Sequence, residues 1–191
     1  MSKQVAPLYT PTVMSLRWPI KSDKGEDLCE LTLKLIDHGD HAAVLDSDPD
    51  EREAFAEFAR LSCGLSADEV KRLKAPDWNK LRLQLSDLVT KGSEHFLKSS
   101  GVKFEKDSPV LLKPLFGDDG QTITKVDLEV PSVATTDLMR KQADAAARTD
   151  FITMSCAGLS KAELAQLSCP DWNYLQGRLN DFLNESADFF Q

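Results

Sequence analysis

Asp37, His38, Asp40, His41 and Asp46 form the one stretch in which imidazole and carboxylate alternate closely enough to hold a divalent metal or to set a general base beside an acid. The third histidine, His95, stands apart from them. Cys29, Cys63, Cys156 and Cys169 could supply thiolate ligands or a nucleophile, yet they form no CxxC pair and have no histidine at ligand spacing. Asp87 and Asp181 recur at matching places near the end of the chain's two halves, as a carboxylate couple would need to. Against these stand bland readings: a solvated polar loop for the histidine stretch, reduced packing thiols for the cysteines, and helix-surface charges for the aspartates. No glycine-rich phosphate loop, GxSxG elbow or HExxH helix occurs. The bland readings are preferred, and the expectation is a protein with no catalytic residue, no metal and no cofactor.

An internal repeat supports that choice. The segment Gly64 to Leu97 matches Gly158 to Gln191 at a constant offset of 94, with 13 of 34 positions identical, including the run Pro-Asp-Trp-Asn at Pro76 to Asn79 and Pro170 to Asn173. Upstream, Pro19 to Leu35 matches Pro114 to Val130 at an offset of 95, pairing Pro19 with Pro114, Asp23 with Asp118 and Gly25 with Gly120. Across this repeat the histidine stretch faces Ser132-Val133-Ala134-Thr135-Thr136, which has nothing to bind a metal. Each cysteine faces a small residue: Thr124, Ala157, Ser62 and Ala75 in order.

The elements that position these residues follow from periodicity. Leu31, Leu33, Leu35 and their counterparts Val126, Leu128, Val130 alternate as half-buried strands do. A short apolar stretch precedes each, Leu16 to Ile20 and Val110 to Phe116, and an Asp-Lys-Gly or Asp-Asp-Gly turn joins the two, so each copy opens on a β-hairpin. A helix follows, carrying Phe55, Phe58, Ala59 and Ser62 in one copy and Leu138, Ala145, Thr149, Ile152 and Cys156 in the other. Gly64 and Gly158 stop it, and Ser66 with Glu69, or Ser160 with Glu163, spells a capping box for a short second helix. A third helix starts at Pro-Asp-Trp-Asn, with Asp77 and Asp171 placed to cap it. Its stripe is Trp78, Leu81, Leu85, Leu88, Val89, repeated as Trp172, Leu175, Leu179, Phe182, Leu183.

The fold class expected is therefore α+β, a tandem duplication of a β-hairpin followed by three helices. A two-stranded hairpin is marginal alone, which gives the copies a reason to share one small antiparallel sheet. The organisation reads as an N-terminal arm (1–12), a first module (13–97), a polar linker (98–109) and a second module (110–191).

Composition bounds the partners. The formal net charge is −8, and both halves are acidic, with 14 basic and 17 acidic residues through Ser100 and 9 and 14 after it. Basic residues scattered among carboxylates argue against nucleic acid as a ligand. No segment has the roughly 18 to 20 consecutive apolar residues that cross a bilayer, so a soluble cytosolic protein is expected, with self-association open. Four aromatics are the candidate partner-binding residues: Trp78 and Trp172, for which core packing competes with partner contact, and Phe189 and Phe190, which either fold back or are presented at the chain end.

Laid out this way, the chain resembles the small tail assembly chaperones of tailed bacteriophages, of the kind found in Mu-like phages and prophages. The residues carrying the likeness are Pro114, Gly120, Val126, Leu128, Pro131, Gly158, Leu159, Ser160, Glu163, Leu167, Asp171 and Leu175. In the first copy they are Pro19, Gly25, Leu31, Leu33, Gly64, Leu65, Ser66, Glu69, Leu73, Asp77 and Leu81. It departs from the family pattern in having two fused modules and Ile36 where the second copy has Pro131. The resemblance implies a protein absent from the finished virion. Acting in the host cytoplasm, it would bind the long tape measure protein, keep it soluble and assist assembly of tail tube protein around it. Helix-in-groove or strand-addition contacts would suffice. Two other classes stand beside it: a phage- or prophage-encoded regulator that binds a host protein, and a small metal-dependent hydrolase built on His38 and His41.

Overall fold

A computed structural model describes residues 6–98 and 101–190; residues 1–5 of the arm, 99–100 of the linker and 191 at the end of the second module lie outside the described residues. The first module begins with β1 (Thr12–Lys21) and β2 (Asp27–Leu33), followed by α1 (His38–Asp46), α2 (Glu51–Cys63), α3 (Ala67–Arg72), α4 (Ala75–Thr90) and α5 (Ser93–Leu97). The second has β3 (Val110–Phe116), β4 (Thr122–Lys125), α6 (Val133–Arg140), α7 (Ala145–Ala157), α8 (Lys161–Gln166), α9 (Cys169–Asn184) and a 3-10 turn, Ala187–Phe190. The fold is α+β, two hairpins each followed by helices.

The hairpins do not share a sheet: each is a separate two-stranded antiparallel pair, which corrects the expectation of a pooled one. The physical reason lies in β1 and β3. Between Ser15 and Ile20 the first strand advances five residues while β2 retreats two, Glu30 to Leu28, and the step from Val110 to Leu115 against Lys125 to Ile123 repeats it. Each bulge holds a proline, Pro19 or Pro114, with no N–H to offer a ladder. The helices take up the amides beside it, as set out below. The carbonyl of Leu112 accepts instead from the arm, from the N–H groups of Leu8 and Tyr9 at 2.9 and 3.2 Å.

The helix count also differs from three per module. Asp48, at φ 50°, and Pro49 break the first helical stretch, and Asp50 with Glu53 forms a capping box that restarts it. In the second module Asp144 caps α7 through the N–H of Ala147. The His38–Asp46 segment is thus the helix α1 rather than a polar loop. Gly64 and Gly158 do end α2 and α7 in the left-handed conformation, and both Ser-x-x-Glu capping boxes form. The alternation of Val126 and Leu128 is a buried one, but β4 ends at Lys125. Beyond it the N–H groups of Val126 and Leu128 turn to the carbonyls of Pro109 and Asp107, and Val130 is exposed.

One core gathers Met14, Leu31, Leu33, Phe58, Leu81 and Leu85; another gathers Leu111, Leu115, Val126, Leu164, Leu167 and Leu175. Each leucine buried this fully contributes about 2 kcal/mol over an exposed one. The modules meet through helices. Ile36 and His38 exchange backbone hydrogen bonds with Cys169 and Leu167 at 2.8 and 2.7 Å, Asp37 bridges to Ser168, and Asn173 donates to the last carbonyls of the α4 segment, those of Val89 and Lys91, at 2.9 and 3.2 Å. Gly39 lets α1 approach α8, because a Cβ there would lie 3.0 Å from that of Ala165.

Candidate partner-binding site

The acidic residues of the repeat hold the scaffold. Asp77 and Asp171 are buried, at 4 and 2% exposure, and do not cap their helices, whose N-caps are Lys74 and Ser168. This corrects their expected role. Asp77 accepts the bulge N–H groups of Arg17 and Trp18 at 3.0 and 3.1 Å. Asp171 accepts that of Leu112 at 3.1 Å and the Ser168 hydroxyl at 2.6 Å. Burial pushes the Asp171 carboxyl up to about 6, against the opposing pull of hydrogen bonds from Ser168, Leu112, Lys113 and Ser93. Beyond its capping role, Glu69 accepts from the hairpin-turn N–H of Asp23 at 2.9 Å, and Glu163 from that of Asp118 at the same distance. A carboxylate clamp on a strand bulge, written twice, is the reason Pro, Asp and Glu recur at these positions.

The histidines are set against rings rather than together at a site. His38 stacks on Trp172 and His41 on Phe58, with centroids 3.6 and 5.1 Å apart. Burial and the neighbouring His41 lower the His38 pKa to about 4, opposed by Asp150. Among the described residues no group of three or more His, Cys, Asp or Glu could hold a metal ion. Asp87 is exposed and Asp181 pairs with Arg178 at 3.1 Å, so the two aspartates do not act as a couple.

Trp78 is half-buried against the first core, and Trp172 against the second. At the chain end Phe190 is 37% exposed and Phe189 53%. Phe190 lies 5.6 Å from Phe182 and beneath the Arg178 guanidinium at 4.9 Å. Arg178 is itself buried, and ion pairs to Asp107 at 2.5 Å and Asp181 hold it there.

Arg178, Asp181 and Phe189 border an open cleft of about 470 Å³ where the linker, the end of α4 and α9 meet, which Trp78, Trp172 and Phe190 do not line. Phe104, edge-on to Tyr174 at 4.7 Å, lines it together with Phe189. Tyr174 is fixed by donating to the Lys106 carbonyl at 2.9 Å. Gly177 also lines the cleft; it sits mid-helix, where glycine costs about 1 kcal/mol relative to alanine, and a Cβ there would meet nothing within 4 Å. Sequence reasoning missed Phe104, Tyr174 and Gly177. The one signal available was Gly177 standing where the first copy has Leu83.

Among the described residues no helix is long and apolar enough to cross a membrane. Comparison with curated proteins and with solved structures finds no match. A family model described as phage tail assembly chaperone proteins, E, or 41 or 14, matches residues 108–184, the second module from just before β3 to the end of α9. Residues 108–184, the second module, are therefore similar to the phage tail assembly chaperone family.

Proposed function

We propose that the protein binds the tape measure protein in the host cytoplasm during tail assembly, keeps it soluble while tail tube protein polymerises around it, and is left out of the finished virion. The observation that supports this most is the cleft beside α9, open, walled by Phe104, Tyr174 and Phe189, and lined at its base by a mid-helix glycine that a packing role does not call for. Such a cleft suits an apolar helical segment, the kind a long tape measure exposes before the tube covers it. Aromatic walls bury much area at little cost in side-chain entropy, and the rim carries both signs, with Lys106 and Arg178 against Glu94 and Asp181. The role is one of holding, not of chemistry. Trp78 and Trp172, half-buried, serve it by keeping the modules packed, Phe190 packs on Phe182 beneath Arg178, and Phe189 meets the partner.

Co-purification of the tape measure protein of the same phage with the tagged chain tests the reading. Recovery with the wild type and loss with Gly177→Leu support it; equal recovery with both contradicts the cleft, and no recovery with either contradicts the partner.

A further inference from the structure

The contact that joins the two modules is made by surfaces that each module owns, and one of each kind is left uncovered. The second module's front, at the start of α9, is covered: Ser168, Cys169 and Pro170 are buried and Asn173 half-buried. Their counterparts on the first module, Lys74, Ala75, Pro76 and Asn79, are all exposed. The reverse holds for the rear. Ile36 is buried and Asp37, His38 and Gly39 are half-buried against α8 and α9, whereas Ser132, Val133 and Ala134 on the second module are exposed, Val133 by 78%. Helix α6 leaves Val133 and Leu138 facing outward. A solenoid whose end repeats are uncapped has the same property.

We infer that the front of the first module docks on the rear of the second module of another copy of this chain, head to tail, reproducing the internal contact. The backbone partners are in place by the repeat: Pro131 and Val133 would take the parts of Ile36 and His38, with the N–H of Ala75 and the carbonyl of Leu73 opposite them. Trp78 would lie on Val133 as Trp172 lies on His38. Asn79 would cap α9 through Leu183 and Glu185 as Asn173 caps α4.

Charge points the same way. The internal contact carries one ion pair, Lys113 with Asp37, whose counterparts Trp18 and Ser132 are neutral; elsewhere its front offers Ala165, Ser168 and Tyr174, where the free front has Lys71, Lys74 and Lys80. On the free rear, Glu129 and Glu185 replace Lys34 and Lys91 and Asp137 replaces Ala42, which outweighs the loss of Asp37 and Asp40 to Ser132 and Thr135. A basic front and an acidic rear attract each other, and a copy of the chain carries both. Ala134 in place of Gly39 widens the helix approach, which makes this contact weaker than the internal one and reversible. Because the surfaces are different, the contact is heterologous, and its products are rings or fibres rather than a symmetric dimer.

Sedimentation velocity and cysteine cross-linking on the full chain, with Cys29→Ser to remove the exposed native thiol, test it. The expected results are a mass that rises above 21.2 kDa with concentration and falls back with salt. The charge reversals Lys74→Glu and Glu185→Lys should each weaken association about fivefold or more while leaving thermal unfolding in place. Asn79→Cys mixed with Glu185→Cys should give a disulfide-linked pair that neither gives alone. A monomer at every concentration up to the submillimolar range, or an Asn79→Cys chain that links to itself, overturns the proposal. So does an Asn79→Cys chain that is captured by the tape measure protein but never by Glu185→Cys.

Discussion

The imidazole of His38 lies flat on the indole of Trp172, with ring centroids 3.6 Å apart and planes 12° from parallel, and this stack joins the first module to the second. Its Nδ1 is buried without a hydrogen-bond partner, and burial with the nearby His41 lowers its pKa to about 4. The folded state thus binds the proton more weakly than the unfolded chain, whose histidine titrates near 6.5. Stability drawn from neutral His38 is full above about 6.5 and is lost as pH falls toward about 4. Asp171, raised to about 6, has the opposite sign, losing stability as pH rises from about 4 to about 6. The difference between wild type and His38→Phe isolates the histidine. Denaturant unfolding should show the wild type losing ground to His38→Phe only between about pH 6.5 and 4; a gap that does not vary with pH would refute the stack's role.

The carboxylate clamps predict large losses from small changes. Asp77→Ala strands the part-buried N–H groups of Arg17 and Trp18, and Asp171→Ala strands the buried one of Leu112. Each should cost about 2–4 kcal/mol by urea unfolding. A cost below about 0.5 kcal/mol, the range of ordinary surface changes, would mean that the bulges do not depend on the clamps.

That clamp shows what the sequence could and could not disclose. The repeat made Pro19, Asp77 and their partners Pro114 and Asp171 stand out, and the capping boxes at Ser66 and Ser160 were legible because a cap is a local, four-residue device. The bulge was not legible, since its amides find their acceptor about 60 residues away. An aspartate in a helix's first turn reads as a cap when only the neighbours are known. The separate sheets and the turn of Val126 toward Pro109 have the same origin in tertiary partners, whereas the break at Pro49 is local, made by Asp48, Pro49 and the Asp50–Glu53 box. At the cleft, Phe189 could be picked out as an aromatic at the chain end, but Phe104 sits in a segment whose polar composition reads as linker, and Tyr174 faces Lys80 in the repeat.

Thiol reactivity should follow burial. Cys29 alone is exposed, while burial pushes Cys63 and Cys156 up to about 11 and Cys169 up to about 12. Labelling with a thiol reagent at neutral pH should modify one cysteine quickly and the other three only on unfolding. Rapid labelling of Cys169, which packs into the first module's core, would mean that the modules separate.

The cleft separates binding from stability. Gly177→Leu has room for its side chain and replaces a poor helix former, so the melting temperature should hold or rise, by about 1 kcal/mol in stability, while tape measure binding falls. Phe189→Ala, at a half-exposed terminal ring, should likewise leave unfolding nearly unchanged and weaken binding. Calorimetric melts and pull-downs on both variants check this; a large fall in melting temperature, or undiminished recovery of the partner, removes the residue from the site.

The soluble fraction of the tape measure protein, expressed with and without this chain, tests the proposed holding role. Wild-type chain should move the tape measure protein from the pellet to the supernatant in a complex that survives gel filtration, and Gly177→Leu should leave it in the pellet. A tape measure protein equally soluble without the chain, or equally insoluble with it, would contradict that role.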